Sequence, residues 1–173
     1  IDGEGFFKVR ILQQDLGDGI GYTRNGNFGV NSEGDLVLMN SDGVRIEPPI
    51  NIPEGVTGIS IDKSGRIFGI EPGAVEPTEL AQLEIATFIN TTGLKPIGSN
   101  IYIETVASGT ETNGNPGTEN RGEILHKYLE ASNVDPVREL VNLIKTQRAF
   151  EMNSQSIQAA DEALQVIGNL RRF

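Results

Sequence analysis

The stretch SIDKSGRIFGIE places Ser60, Asp62, Ser64, Gly65, Ile67 and Glu71 on positions one, three, five, six, eight and twelve of a twelve-residue calcium loop. Calcium takes six to eight oxygen ligands, and such a loop supplies several of them as carboxylates. Here position one lacks Asp, two carboxylates are available, and the flanks alternate like strands rather than helices. A hairpin turning at Lys63-Ser64-Gly65 fits these residues better. The single histidine, His126, stands in a strand-like run beside Leu125, and one His with no Cys excludes the usual zinc sets and most nucleophile–base pairs. GDGIG (17–21) has the wrong spacing for a dinucleotide loop and no helix after it, so it reads as a turn. Acidic side chains are abundant, yet none stands in the aromatic or basic context of a sugar-cleaving pair. Asn90-Thr91-Thr92 is a glycosylation-type triplet, too short to weigh. These residues give no catalytic group, no metal or cofactor site and no small-molecule substrate.

The elements that would have to position any chemistry are more informative. The chain has 173 residues, 37% of them hydrophobic, which suits one domain with an appendage. No run approaches the roughly 20 apolar residues needed to span a bilayer. A cleavable secretory signal is missing, and Ile1 is not an initiator Met, which leaves room for a preceding segment. Net charge is −10, against binding nucleic acid or an anionic membrane. From Asp135 onward five bases balance five acids; residues 1–134 hold nine basic and nineteen acidic groups and so the whole imbalance. Either the two parts face different surroundings or the acidic part serves solubility alone.

Residues 1–106 read as a mainly β, hairpin-rich and mostly antiparallel domain. Turn signals recur at Asp18-Gly19, Asn25-Gly26, Glu33-Gly34, Asp42-Gly43 and Ser64-Gly65, between short runs such as DLVLM, GISID and RIFGI. QLEIATFIN is expected as one strand, Leu83, Ile85, Thr87 and Ile89 on one side and Ala86 and Phe88 on the other. Pro48, Pro49 and Pro53 make residues 47–55 a connection or an edge. Residues 107–122, with four Gly, one Pro and no large apolar side chain, read as a loop or mobile linker, and 123–134 as a returning strand segment.

Residues 135–173 hold one long C-terminal helix. Asp135 suits the N-cap, Pro136 the first helical position, and Gly168 a left-handed stop. A helix over 136–167 would measure roughly 48 Å at 1.5 Å per residue, against roughly 35 Å for a compact body of this size. Leu140, Leu143, Gln147, Phe150, Ser154, Ile157, Asp161 and Leu164 alternate steps of three and four, the spacing of a coiled-coil seam. Val137, Val141 and Ile144 widen the stripe in the first turns, while the polar seam residues suit register or several neighbours better than a simple zipper. Such a stripe needs a partner, either other copies or a segment outside these residues, with packing on its own β domain as the alternative, more for the N-terminal half than for the rest.

At the helix the chain resembles a known family. SNVDPVRELVNLIKTQRAFEMNS is similar to the C-terminal signature of bacterial flagellar rod and hook proteins, through Ser132, Asn133, Val134, Glu139, Leu140, Val141, Ile144, Gln147, Arg148, Phe150 and Asn153. GEGFFKV (3–9) with YTRNGNF (22–28) looks like the start of the family's β domain. TFINTTGLKPIGSNIYIETVASG (87–109) most resembles the distal-rod branch, with proximal-rod and hook proteins as the nearest rivals.

The resemblance implies an N-terminal helical segment that these residues lack. It would pair with the C-terminal helix as a coiled coil in the inner wall of a hollow tube, with the β domain outside. It implies a structural subunit, not an enzyme, exported through the flagellar type III apparatus and placed in the basal body across the periplasm. Its function would be to polymerise into a drive shaft carrying torque from motor to hook. The implied partners are the protein itself, other flagellar rod and hook proteins and the surrounding ring proteins; nucleic acid, cofactor and small-molecule substrate are not implied. The expected assembly interface is Val137, Leu140, Val141, Leu143, Ile144, Gln147, Phe150, Ile157 and Leu164. A β-rich calcium- or glycan-binding module with an oligomerisation helix is the alternative from a different class.

Overall fold

The computed structural model describes residues 1–11, 19–40 and 42–170. It divides into two units, Ile1–Glu130 and Ala131–Phe173. The first holds strands β1 (Phe6–Arg10), β2 (Ile20–Thr23), β3 (Phe28–Val30), β4 (Leu36–Leu38), β5 (Arg45–Glu47), β6 (Thr57–Ile61), β7 (Arg66–Ile70), β8 (Thr78–Gln82), β9 (Ile85–Thr87), β10 (Lys95–Gly98), β11 (Ile101–Ile103) and β12 (Thr112–Gly114), with a 3₁₀ turn at Thr91–Gly93. The second unit holds α1 (Pro136–Leu170). Antiparallel sheets followed by one long C-terminal helix are what the turn and period signals predict.

β1 organises the first unit because both of its edges and both of its faces are covered. Along one edge it pairs with β2, from Phe7↔Thr23 to Arg10↔Ile20. Along the other it pairs first with β9, at Phe6↔Ala86 and Phe7↔Ile85, and then with β5, from Lys8↔Glu47 to Arg10↔Arg45. The larger sheet runs β10-β11-β2-β1-β5-β4-β3, with β12 hydrogen-bonded to β9; β6-β7-β8 form a second sheet. Alternate residues of a strand point to opposite faces. Phe7 accordingly joins Leu36, Ile46, Ile52, Ile67, Leu83, Ile85 and Ile124 in a core that draws on both sheets. Val9 packs with Ile11, Leu38, Val44, Ile101 and Ile103. On the other face Phe6 meets Tyr22, Ala86, Phe88 and Leu94. The rings of Tyr22 and Phe88 meet edge-on at 4.7 Å, and those of Phe6 and Phe88 at 6.0 Å, the arrangement an aromatic quadrupole favours.

Lys8 is buried on that same face. Its Nζ lies 3.9 Å from Glu111 Oε1. The Glu111 carboxylate also accepts from Tyr22 Oη at 2.8 Å and Asn113 Nδ2 at 2.9 Å, so the buried ammonium faces a compensated counter-charge.

Four local expectations differ from the fold. QLEIATFIN is not one strand: Gln82 ends β8 in one sheet and Ile85 begins β9 in the other. Leu83, Ile85, Ala86 and Phe88 are buried as the alternation requires, but Ile89 stands in solvent. Asn25-Gly26 does not close a hairpin, because β2 pairs with β1 and β11 whereas β3 pairs with β4. Residues 107–122 are built in: β12 adds to β9, and Ser108, Pro116 and Arg121 are buried. Apolar composition misses such a segment because hydrogen bonds hold it, Thr118 Oγ1 to the Asn115 carbonyl at 2.6 Å and Arg121 Nη2 to the Asn113 carbonyl at 3.1 Å among them. Residues 123–134 form no ladder: their β pairing among the described residues is the isolated bridge Asp2↔Glu123. Ile124 is held instead by its N–H to the Lys63 carbonyl at 3.1 Å and by burial in the core, and Lys127, at φ +66°, leaves the extended region that a ladder needs. Of the predicted turns, Asp18 lies outside the described residues.

Ile85 is fully buried where the two sheets share a core, and Met39 is exposed. Ile85→Ala is expected to lower unfolding free energy by about 2–5 kcal/mol in urea titrations, and Met39→Ala by less than about 0.5 kcal/mol.

Candidate assembly interface

α1 starts as its sequence dictates. The Asp135 carboxylate accepts from the backbone N–H of Val137 at 2.9 Å and of Arg138 at 3.4 Å, which satisfies two of the free donors of the first turn. Pro136 has no N–H to satisfy. At the far end the helix passes through the expected stop at Gly168 to Leu170. A glycine costs a helix about 1 kcal/mol relative to alanine, which weakens it without forcing an end.

Every helical residue from Pro136 to Ile167 is solvent-exposed, Gln147 included. The predicted interface residues Val137, Leu140, Val141, Leu143, Ile144, Phe150, Ile157 and Leu164 are between 42% and 76% exposed. They share one helix but not one straight line. A seven-residue repeat drifts about 20° per heptad around a straight α-helix. The file Leu143, Phe150, Ile157, Leu164 therefore winds about 60° round α1 over three heptads. Only a partner that coils with the helix can follow it.

The seam is not the whole apolar surface. Met152, Val166 and Ile167 are also exposed, and at 3.6 residues per turn Val141, Met152 and Val166 fall within about 40° of each other on another side. Met152 lies eleven residues after Val141, off the rhythm of the seam, and Val166 lies two heptads after Met152, so this second side escapes a count that follows the seam alone.

In the first unit, Arg24 ties the beginning to the end. Its Nη1 donates to the carbonyls of Gly3 at 2.7 Å and Gly5 at 2.9 Å, and its Nη2 to that of Ile1 at 3.3 Å. The same guanidinium reaches Glu130 Oε2, from Nη2 at 2.8 Å and from Nε at 2.9 Å. Beside it Asp2 and Glu123 exchange backbone hydrogen bonds of 2.8 and 2.9 Å. Gly3 and Gly122 pass so closely that a Cβ on Gly3 would lie 2.8 Å from Gly122 Cα, so only glycine fits there.

The calcium-like stretch is the β6–β7 hairpin, closed by hydrogen bonds between Asp62 and Arg66 and from Gly65 N–H to the Asp62 carbonyl. The Asp62 carboxylate accepts from Ser64 Oγ at 2.8 Å, from the Arg66 backbone N–H at 2.9 Å and from Arg66 Nε at 2.9 Å. Desolvation pulls its pKa upward, but these hydrogen bonds and the Arg66 charge outweigh it and hold the carboxyl below its ordinary value. A ligand set would first have to break that network. Among the described residues no group of three or more His, Asp or Glu is placed to hold a metal ion. His126 is half-buried at the edge of a groove of about 370 Å³ in this unit, lined by apolar side chains that include Phe28, Val30, Ile59 and Ile61.

Comparison with known proteins gives consistent matches. Residues 1–69 match the family described as flagellar hook protein FlgE/F/G D1 domain, and residues 126–170 the family described as flagellar basal body rod FlgEFG protein C-terminal. The chain is 43% identical over 171 residues to the flagellar basal-body rod protein FlgG of Buchnera aphidicola subsp. Acyrthosiphon pisum, covering 98% of this chain and 63% of that protein. It is 41% identical to FlgG of Caulobacter vibrioides, covering 99% and 63%. To the flagellar hook protein FlgE of Salmonella typhimurium it is 34% identical over 145 residues, covering 84% of this chain and 33% of that one. The chain thus spans just under two thirds of the rod relatives' length.

Two outcomes follow from the geometry. Arg24→Ala removes hydrogen bonds from a charged donor, each worth about 1.5–3 kcal/mol. Amide exchange at Asp2, Gly122 and Glu123 is expected to rise at least tenfold while β4 and β5 keep their protection. For Asp62, a pKa held down in the folded state stabilises the fold above the unfolded pKa and loses that effect as pH falls through the folded value. The stability gap between wild type and Asp62→Asn is expected to be full at pH 6 and to shrink below the ordinary carboxylate value of 3.8.

Proposed function

The chain belongs to the flagellar basal-body rod and hook family, and from that premise we propose that it is a structural subunit of the distal rod. Many copies polymerise into a hollow shaft in the basal body, crossing the periplasm, and carry torque from the motor to the hook. The subunit works by binding its neighbours rather than by catalysis.

The observation that carries this reading is α1 itself, about 52 Å long at 1.5 Å per residue, exposed throughout its described side chains and marked by a winding apolar seam. Burying one large aliphatic or aromatic side chain is worth about 1.5–3 kcal/mol. Val137, Leu140, Val141, Leu143, Ile144, Gln147, Phe150, Ile157 and Leu164 are the contact residues, with Met152 and Val166 meeting a further neighbour. Torque on a shaft acts as shear between subunits, and side chains interlocked along a helix resist sliding in a way that a flat polar contact does not.

The β unit supports the same reading. Arg24 holds the Ile1 carbonyl and the Glu130 carboxylate together. Any segment joined to Ile1 would start beside Glu130, the last residue of the first unit, which would favour its pairing with α1. Partners among the other rod and hook proteins, and the surrounding rings, follow from the same placement. The distal rod is preferred to the hook because identity to the rod relatives is higher and covers more of both proteins.

Leu140→Asp with Phe150→Asp in the full-length chain is expected to abolish motility and leave basal bodies without hooks. Unfolding of the β unit should change by less than about 0.5 kcal/mol, as both side chains are exposed. Normal swimming by this variant would refute the proposal.

A further inference from the structure

Ile89 and Val106 are 93% and 104% exposed, so neither side chain is covered by its own chain. They sit on two adjoining loops whose backbone is firmly held. Thr105 Oγ1 donates to the Gly93 carbonyl at 2.6 Å, Asn90 Nδ2 to the Ala107 carbonyl at 3.0 Å, and the Asn90 N–H to the Ser108 carbonyl at 3.3 Å. Ser108 Oγ accepts from the Thr105 N–H at 3.0 Å. A Cβ on Gly93 would lie 2.6 Å from the Ala107 carbonyl carbon, so the loops are in direct backbone contact. The result is a knuckle with two apolar tips, pre-organised and therefore cheap in entropy to dock.

The same unit carries a matching recess, the groove of about 370 Å³ lined by Phe28, Val30, Ile59, Ile61, Tyr128 and Leu129. Val30, Tyr128 and Leu129 are themselves exposed at its rim. Knob and recess belong to opposite faces of β1. Phe7 lines the groove, whereas Phe6, its neighbour on the other face, packs on Phe88, the residue before the knuckle.

Charge selects the occupant. The net −10 lies wholly in residues 1–134, so like copies repel wherever their acidic surfaces meet. Residues 86–94 and 105–110 contain no ionisable side chain. The groove is lined by Arg24, His126 and Lys127 but by one acid, Glu130, which is paired with Arg24. Two acidic bodies can approach here without like-charge contact.

We propose that the Ile89–Val106 knuckle of one copy seats in the Val30–Leu129 groove of the next copy along the polymer. The contact uses two different surfaces on opposite faces, so it is head-to-tail, does not close on itself, and propagates an open filament. It rests on the rod reading above and adds an outer-layer contact independent of α1.

The test uses the full-length chain. These 173 residues contain no Cys, so in a full-length chain with any other Cys replaced by Ser, Val106→Cys together with Leu129→Cys introduces a defined pair. A short bismaleimide added to rods of the double variant is expected to give a ladder of multimers, and each single variant to stay monomeric. Ile89→Asp with Val106→Asp is expected to cut rod assembly at least tenfold, while Val75→Asp, on another exposed loop, assembles as wild type. Normal rods from the Ile89/Val106 variant, absence of the ladder, dimers from Val106→Cys alone, or an equal defect in Val75→Asp would each overturn the contact and leave the rod reading standing. A wild-type full-length chain that forms no rods would overturn the rod reading and the contact with it.

Discussion

Water disfavours apolar surface by about 25 cal/mol for each Å² exposed, and α1 leaves large aliphatic and aromatic side chains in water from Val137 to Ile167. Intrinsic propensity alone holds an isolated helix only marginally. The N-cap hydrogen bonds of Asp135 start α1, but they do nothing for its flanks. On the rod function proposed above, the surface that is costly to the lone subunit is the surface that would favour association with its neighbours. The drift of the seven-residue repeat adds direction: the seam winds, so its cover must wind with it.

The β unit answers a different demand. Under the proposed rod function a subunit passes force to its neighbours and must not deform, and this unit is held together where composition suggests softness. β1 is paired on both edges and packed on both faces. Residues 107–122, poor in apolar side chains, are held by β12, by buried Arg121 and by hydroxyl-to-carbonyl hydrogen bonds. Arg24 fastens the two ends of the unit, the Ile1 carbonyl and the Glu130 carboxylate, to one side chain. One guanidinium serves because its five donors spread in a fixed plane and can meet three carbonyls and a carboxylate together.

Charge and apolarity divide the work between the two parts. The acidic body carries the whole net charge of −10, and the neutral helix carries the apolar stripe. In the filament proposed above, like-charge contact would penalise association through other exposed patches.

The amino-acid sequence by itself determined what depends on neighbours a few residues apart. The 61–67 hairpin, the cap at Asp135 and the long helix were legible because turn chemistry, capping and helical period are local. Tertiary structure decided whatever depends on distant partners. It divided QLEIATFIN between two sheets, because Gln82 is registered against Arg66 while Ile85 is registered against Phe7. It left Ile89 in solvent, where simple alternation would bury it. It gave Arg24 a partner 106 residues away, and it fastened a glycine-rich stretch through hydrogen bonds that hydrophobic patterning does not record. Period and propensity act along the chain, whereas register, polar satisfaction and the pairing of its two ends act across it, and only the folded arrangement brings those groups within reach.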